Sequence, residues 1–190
     1  SHNSSEFIKQ LAKQVNLQGE TVAKKGDIYN HKYNDENTIE ATYTVPYIHH
    51  APMETPAATA IVEGKKCTIW AGTQNPQWAK SNVAKELGLD KGEHDSIELN
   101  VTLMGGAFGR KSKADFIIEA VELARASKRP VKVIWSREDD IQHGFYHSIS
   151  ANYCKAELTG KGSADFWVSR NAYPPIGWLW NPEAKMPSDD

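Results

Sequence analysis

Cysteine is nearly absent: Cys67 and Cys154 are the only two in 190 residues, and no C-x-x-C spacing joins them. That argues against a zinc or iron–sulfur site encoded in this chain, and buried thiols are the expectation for two cysteines in strand-like segments. No apolar run comes near the roughly 20 residues a membrane-spanning helix needs. Positive charge is not in excess either. Lys and Arg number 22 against 24 Asp and Glu, with no basic cluster, so the charge pattern gives no case for nucleic acid. The serines lie in no G-x-S-x-G elbow, which leaves a hydrolase triad without support. Repeats and low-complexity segments are missing. So are a starting methionine and a signal peptide; Ser1-His2 has the form of a cloning scar. The tail from Trp178 to Asp190 carries aromatics, Pro and Asp without periodicity. Together the two ends lead us to expect a piece of a larger protein.

What is present is a globular composition, 39% hydrophobic and 24% charged, with length enough for a real core. Phe7, Ile8, Leu11, Ala12 and Val15 form a helical stripe over Ser4–Val15, with Ser4 or Ser5 as cap. Thr38–Val45 is β-rich. Ala58–Val62 and Lys66–Ala71 read as a hairpin around Glu63-Gly64. Asn75-Pro76 opens a helix that Gly88 stops. A strand over Ser96–Leu103 precedes the clearest helix, Lys113–Ser127, and Pro130 leads into a short buried strand, Val131–Trp135. His147–Leu158 and Ser163–Tyr173 alternate around Thr159–Gly162, a second hairpin. The expected fold is α+β, a mixed or antiparallel sheet with helices packed on it.

Met104-Gly-Gly-Ala-Phe-Gly-Arg-Lys111 is the most informative stretch. A predicted strand runs into three glycines around one phenylalanine, and a helix follows. Glycine admits positive φ and close approach to a bulky ligand. Strand–loop–helix geometry aims N–H groups at an anion, and Arg110 and Lys111 add charge. The stretch matches neither G-x-G-x-x-G nor G-x-x-x-x-G-K-[ST], so a tight structural turn and a phosphate or cofactor loop both fit. Gln74, between a strand and a helix start, can offer donor and acceptor to a planar ligand. His49, His50 and Glu54 cluster after a strand, but without metal-ligand spacing a structural role is favoured. His143 and His147 would share a face only on a helix, which Gly144 opposes. The run Ser136–Asp140 reads as a solvated turn or helix start, with an anchor for Arg or a backbone nest as the alternative.

Four segments taken together are more specific than any one of them. They are Tyr43–Tyr47 with His50–Glu54, Ile69–Gln74, Gly105–Arg110 and Pro130–Asp140. In this order and spacing they resemble the molybdopterin-binding subunit of the xanthine oxidase/aldehyde oxidase family, isoquinoline 1-oxidoreductase β-subunit type. The resemblance spans about Glu40 to Tyr173. It implies three divisions: residues 1–37 as the end of a preceding hammerhead-like domain or linker, 38–175 as the first part of the molybdopterin-binding domain, and 176–190 as a truncated continuation.

The resemblance further implies a parent molybdenum hydroxylase that oxidises an aldehyde or N-heterocycle with oxygen from water. The cofactor would be molybdopterin or its cytosine dinucleotide. Electrons would pass to [2Fe–2S] clusters on a small subunit or domain. Gly105, Gly106, Ala107, Phe108, Gly109, Arg110 and Gln74 are the implied cofactor-binding residues. Gly106, Ala107 and Gly109 would supply N–H groups, Arg110 an anion or pterin contact, and Phe108 would pack beside substrate or metal. Gln74 and His50–Glu54 would line or buttress the cavity. No residue here is a protein ligand to the metal, and the family's general-base glutamate, in a Gly-x-Gly-Glu setting, would fall beyond Asp190. The fragment alone is therefore not expected to hold the cofactor or turn over.

Departures from the family pattern are Ala107 for a usual glycine, Thr55 for a usual proline, and Lys111 where arginine is commoner. They leave room for a non-catalytic binding or assembly domain that kept the fold. A stand-alone α+β domain binding a phosphate ligand is the third option. Periplasmic placement follows from the resemblance alone, with the cytoplasm as the alternative.

Overall fold

In the computed structural model, which describes residues 3–179 and 183, the elements follow in chain order. They are α1 (Ser4–Gln14), β1 (Thr38–Val45), β2 (Ile48–His49), β3 (Ala57–Glu63), β4 (Lys66–Ala71), α2 (Pro76–Glu86), β5 (Ile97–Val101), α3 (Asp115–Ser127), β6 (Val131–Ile134), α4 (Arg137–His143), β7 (Tyr146–His147), β8 (Ser150–Leu158) and β9 (Ala164–Ala172). Short 3-10 turns occupy Lys91–Ser96, Arg110–Ser112 and Ile176–Leu179. The described residues up to Ile48 and from His147 onward form one compact unit, and His49–Tyr146 form another. The boundaries between these compact units fall at 48/49 and 146/147. The chain leaves the first unit within β2 and returns within β7. Ser1-His2 and the tail beyond Leu179, apart from Glu183, lie outside the described residues.

In the first unit the sheet order is β1-β8-β9, antiparallel throughout. Helix α1 lays Phe7, Ile8, Leu11, Ala12 and Val15 on Ile149, Ala151, Tyr153 and Ala172. This is the stripe legible in the sequence, but the cap is one residue earlier than expected. Asn3 accepts from the N–H groups of Ser5 (3.1 Å) and Glu6 (3.3 Å), because its Oδ1 reaches two otherwise orphaned donors. The expected β8–β9 hairpin is present. Its turn closes with the Thr159 N–H donating to the Ser163 carbonyl.

The second unit is built on the sheet β5-β4-β3-β6. Strands β3 and β4 make the expected hairpin, and β5 runs parallel to β4 after the α2 crossover. This mixed sheet, with helices on it, is the α+β fold. Ala58, Ala60, Cys67, Ile69, Ala71 and Ile97 point to one face, where α2 supplies Ala79 and Val83 and α3 supplies Phe116, Ile117, Ala120, Val121 and Ala124. The small residues on β3 let α3 approach the sheet closely.

Three expectations are corrected. Strand β6 was expected to be buried, yet it pairs only with β3 and leaves Lys132 and Ile134 exposed. It is an edge strand, alternating in burial as half-covered strands do. Strand β5 stops at Val101, two residues early, and Leu103 stands in solvent. Helix α3 begins at Asp115 rather than near Lys113, because Arg110–Ser112 first makes a 3-10 turn and Lys113 is extended.

Candidate cofactor loop

Residues 104–111 connect the end of β5 to the turn before α3, within the unit His49–Tyr146. Gly106 and Gly109 have φ of +95° and +103°, and Phe108 itself sits at +55°. A bulky residue in the left-handed region costs roughly 1–2 kcal/mol, and such strain persists only where neighbours over-determine it. Ala107 has negative φ, so alanine in place of the usual glycine forfeits no backbone freedom, and its methyl is buried. The Phe108 side chain is 63% exposed.

Bonds at both ends hold the loop. At its start, the Glu54 N–H donates to the Gly105 carbonyl (3.1 Å), and the Gly105 N–H donates to Glu54 Oε2 (3.1 Å). A Cβ on Gly105 would lie 2.7 Å from the Glu54 Cβ, so the two chains meet there only because residue 105 has no side chain. At its end, the Gly109 N–H donates to Gln74 Oε1 (3.1 Å). The Lys111 carbonyl accepts from the Gln74 N–H (3.0 Å) and from Thr73 Oγ1 (3.1 Å). Between these ties, the N–H groups of Gly106, Ala107 and Phe108 have no acceptor among the described residues.

The charges of the loop are turned inward. Lys111 is 1% exposed and its ammonium is bonded to Glu54 Oε2. That bond, with help from the Gly105 N–H, holds the Glu54 carboxyl below its ordinary pKa against the opposing effect of burial. Arg110 is equally buried. Its Nη1 and Nη2 donate to the two Asp115 oxygens at 2.9 and 2.8 Å, the fork geometry that suits a carboxylate. The guanidinium also lies 5.2 Å from the ring centres of Trp135 and Phe145. Its Nε is buried without a partner among the described residues. Burial first, then the nearby Arg110 charge, lowers the Lys113 pKa, partly offset by Asp115.

The implied site residues therefore lie together, and most of them make bonds within the chain. Gly106, Ala107 and Phe108 carry the uncommitted N–H groups, whereas the Gly109 N–H is used by Gln74. Arg110, expected at an anion or pterin contact, has both terminal nitrogens on Asp115. Gln74 and Glu54 buttress the loop. His50 Nδ1 donates to the Phe145 carbonyl (2.9 Å), while its Nε2 faces Gly109. His49 is fully used, since Nδ1 accepts from the Ala51 N–H and Nε2 donates to the Asp140 carbonyl. Among the described residues no group of three or more His, Cys, Asp and Glu side chains is placed to hold a metal. Thr55, in the place of a usual proline, donates its hydroxyl to the Trp135 carbonyl (2.7 Å).

Ser136–Asp140 turns out to be a helix start: Ser136 and Asp139 make a reciprocal capping box, and Arg137 pairs with buried Asp140. The roles of Asp115 and Lys111 escaped sequence reasoning. Asp115 lies five residues after Arg110 across a 3-10 turn, and Lys111 lies 57 residues from Glu54; neither spacing has a local signature.

The α+β unit thus carries a strained glycine loop whose Gly106, Ala107 and Phe108 N–H groups have no acceptor among the described residues. Its fold is shared with the solved quinoline 2-oxidoreductase of Pseudomonas putida 86 (TM-score 0.57, 24% identity, 70% of this chain and 17% of that one). It is shared also with the aldehyde oxidoreductase of Desulfovibrio gigas (TM-score 0.53, 24% identity, 64% and 13%). Residues 10–159 match the model of the molybdopterin cofactor-binding domain, and the chain belongs to that family. The isoquinoline 1-oxidoreductase β subunit of Brevundimonas diminuta is 30% identical over 152 residues, 70% of this chain. The aldehyde oxidoreductase molybdenum-binding subunit PaoC of Escherichia coli K12 is 38% identical over 101 residues, 52% of this chain. The chain spans 19% and 13% of the lengths of these two relatives.

Proposed function

We propose that this chain is the first part of the molybdopterin-binding portion of a molybdenum hydroxylase large subunit. The observation that carries this reading is the run of three uncommitted N–H groups, Gly106 to Phe108, held in a strained loop beside an exposed phenylalanine. Such a loop fits a ligand that brings oxygen acceptors and a large apolar face. When bound, the molybdenum–pterin group supplies the redox chemistry, with oxygen from water inserted into an aldehyde or N-heterocycle and electrons passed to [2Fe–2S] clusters on a partner. The chain's own residues bind and orient. The three N–H groups donate to oxygens of the cofactor, and their fixed dipoles favour negative charge there without reorganising. Phe108 covers one side and excludes water from it. Gln74 keeps the Gly109 end from collapsing inward.

The departures that favour a non-catalytic domain do not disturb this loop. Ala107 adopts an ordinary backbone, and Lys111 is engaged with Glu54. The deciding experiment uses the full-length protein with its partners, an aldehyde or N-heterocycle, and water labelled with 18O. Label in the oxidised product, lost together with bound molybdenum in Phe108→Ala, is the expected result. Native protein that binds no molybdenum and oxidises no substrate would favour the binding or assembly domain instead.

A further inference from the structure

We infer that Glu54 is the positioning residue of this loop, using one carboxylate oxygen to tie both of its ends and so to aim the N–H groups of Gly106, Ala107 and Phe108. The inference rests on the proposed function for what those groups bind, but not for the hold itself. Glu54 Oε2 accepts from the Gly105 N–H and from the Lys111 ammonium at once. The Glu54 N–H returns a bond to the Gly105 carbonyl, so residue 105 is clasped from both sides of its peptide. Lys111 is 1% exposed and meets no other carboxylate among the described residues. Its carbonyl is pinned by Thr73 and Gln74. With residues 105 and 111 fixed on one oxygen, the intervening turn has little freedom. Phe108 can then be kept at positive φ.

Lys111 is thus the charge partner of Glu54, not a contact for an anionic ligand. A neutral amide at position 54 could still accept, but it would leave Lys111 buried beside no opposing charge. A hydrogen bond to a charged group is strong, but Glu54 is 42% exposed and shares its carboxylate with water, so losing the bond should loosen the loop about tenfold.

The test uses the full-length protein carrying Glu54→Gln, Lys111→Met or Lys111→Arg. Amide exchange of the peptide covering residues 103–112 is followed in cofactor-free protein, and bound molybdenum is measured after expression with the metal. In both neutralising variants the hydrogen-bonded amides of 103–112, those of Gly105, Gly109, Arg110 and Ser112, should exchange about tenfold faster. Exchange in α3 should stay unchanged, and molybdenum content should fall. Lys111→Arg, which keeps the charge, should restore slow exchange and metal content. Unchanged loop exchange in Glu54→Gln would overturn the inference, as would acceleration of α3 equal to that of the loop. A loosened loop with full molybdenum content would instead overturn the proposed function, leaving the hold by Glu54 established.

Discussion

Replacing Asp115 by asparagine separates a structural from a ligand-facing role for Arg110. The guanidinium is 1% exposed, spends its two terminal nitrogens on Asp115, and stacks against Trp135 and Phe145. Removing one partner of a buried ion pair costs about 3–5 kcal/mol, because the remaining charge is left uncompensated. Asp115 is 34% exposed, so water already shares its carboxylate and the loss must be discounted. About 2–3 kcal/mol is the working figure for Asp115→Asn. The side chains of Phe116, Ile117, Ala120, Val121 and Ala124 are fully buried, so amides in α3 should open only with the whole unit. Native-state exchange across α3 should therefore quicken by about 30- to 150-fold.

The double variant Arg110→Met/Asp115→Leu completes the argument. It removes both charges and fills their space with apolar groups, a change often neutral for a buried pair. It should recover most of the protection lost in Asp115→Asn. If Arg110 is an anchor only, the double variant also keeps the cofactor. Exchange in Asp115→Asn within about threefold of the native rate would refute the premise, since the guanidinium would then have another source of compensation.

Gly105→Ala places a methyl carbon 2.7 Å from the Glu54 Cβ, closer than real contacts allow; a loss of about 1–3 kcal/mol in the unfolding of this unit is expected, and a neutral effect would mean the two chains part easily. Because the Glu54 carboxyl is depressed when folded, its stabilising effect is complete above the unfolded pKa of about 4.3 and drains as pH falls through the folded value. The stability gap between native protein and Glu54→Gln should accordingly stay flat from neutral pH to about 5 and narrow only in acid; a gap already closing near neutrality would contradict the ion pair. Burial pushes the Cys67 thiol up to about 11, so at mildly alkaline pH it should resist alkylation until the unit unfolds, and rapid labelling in the native state would show that β4 is not covered as described.

Legibility in the sequence followed the range of the forces involved. The stripe Phe7–Val15, the Asn75-Pro76 start, the turns at Glu63-Gly64 and Thr159–Gly162, and the glycine loop are local patterns, and each is found in the fold. Asn75 accepts from the Trp78 N–H as a cap should. Burial of β6 was misjudged because its apolar run reads alike at the centre or the edge of a sheet, and only strand order decides between them. The beginning of α3 slipped by two residues because the 3-10 turn at Arg110–Ser112 is set by loop closure, not by propensity.

The same division runs through the site. The glycines and Phe108 announced a loop, yet the partners that shape it come from distant stretches: Glu54, Gln74 and Phe145 in sequence, gathered only by the sheet. Residue type alone does not reveal these partners. Arg110 beside a Gly-rich turn reads as an anion contact, and Lys111 as added charge at the same place, since cations near such turns often meet anions. In the folded unit each already has a carboxylate and almost no solvent. If the loop takes an anionic ligand, as proposed, two cations turned inward leave its attraction to backbone N–H groups. These, unlike a lysine, are held in direction by the chain itself. On the proposed function, a loop built this way would select for the position of its ligand's oxygens more than for its total charge. A substitution that moves the Gly105 or Gly109 peptide by a fraction of an ångström should therefore do more harm than one that alters the charge on the exposed surface.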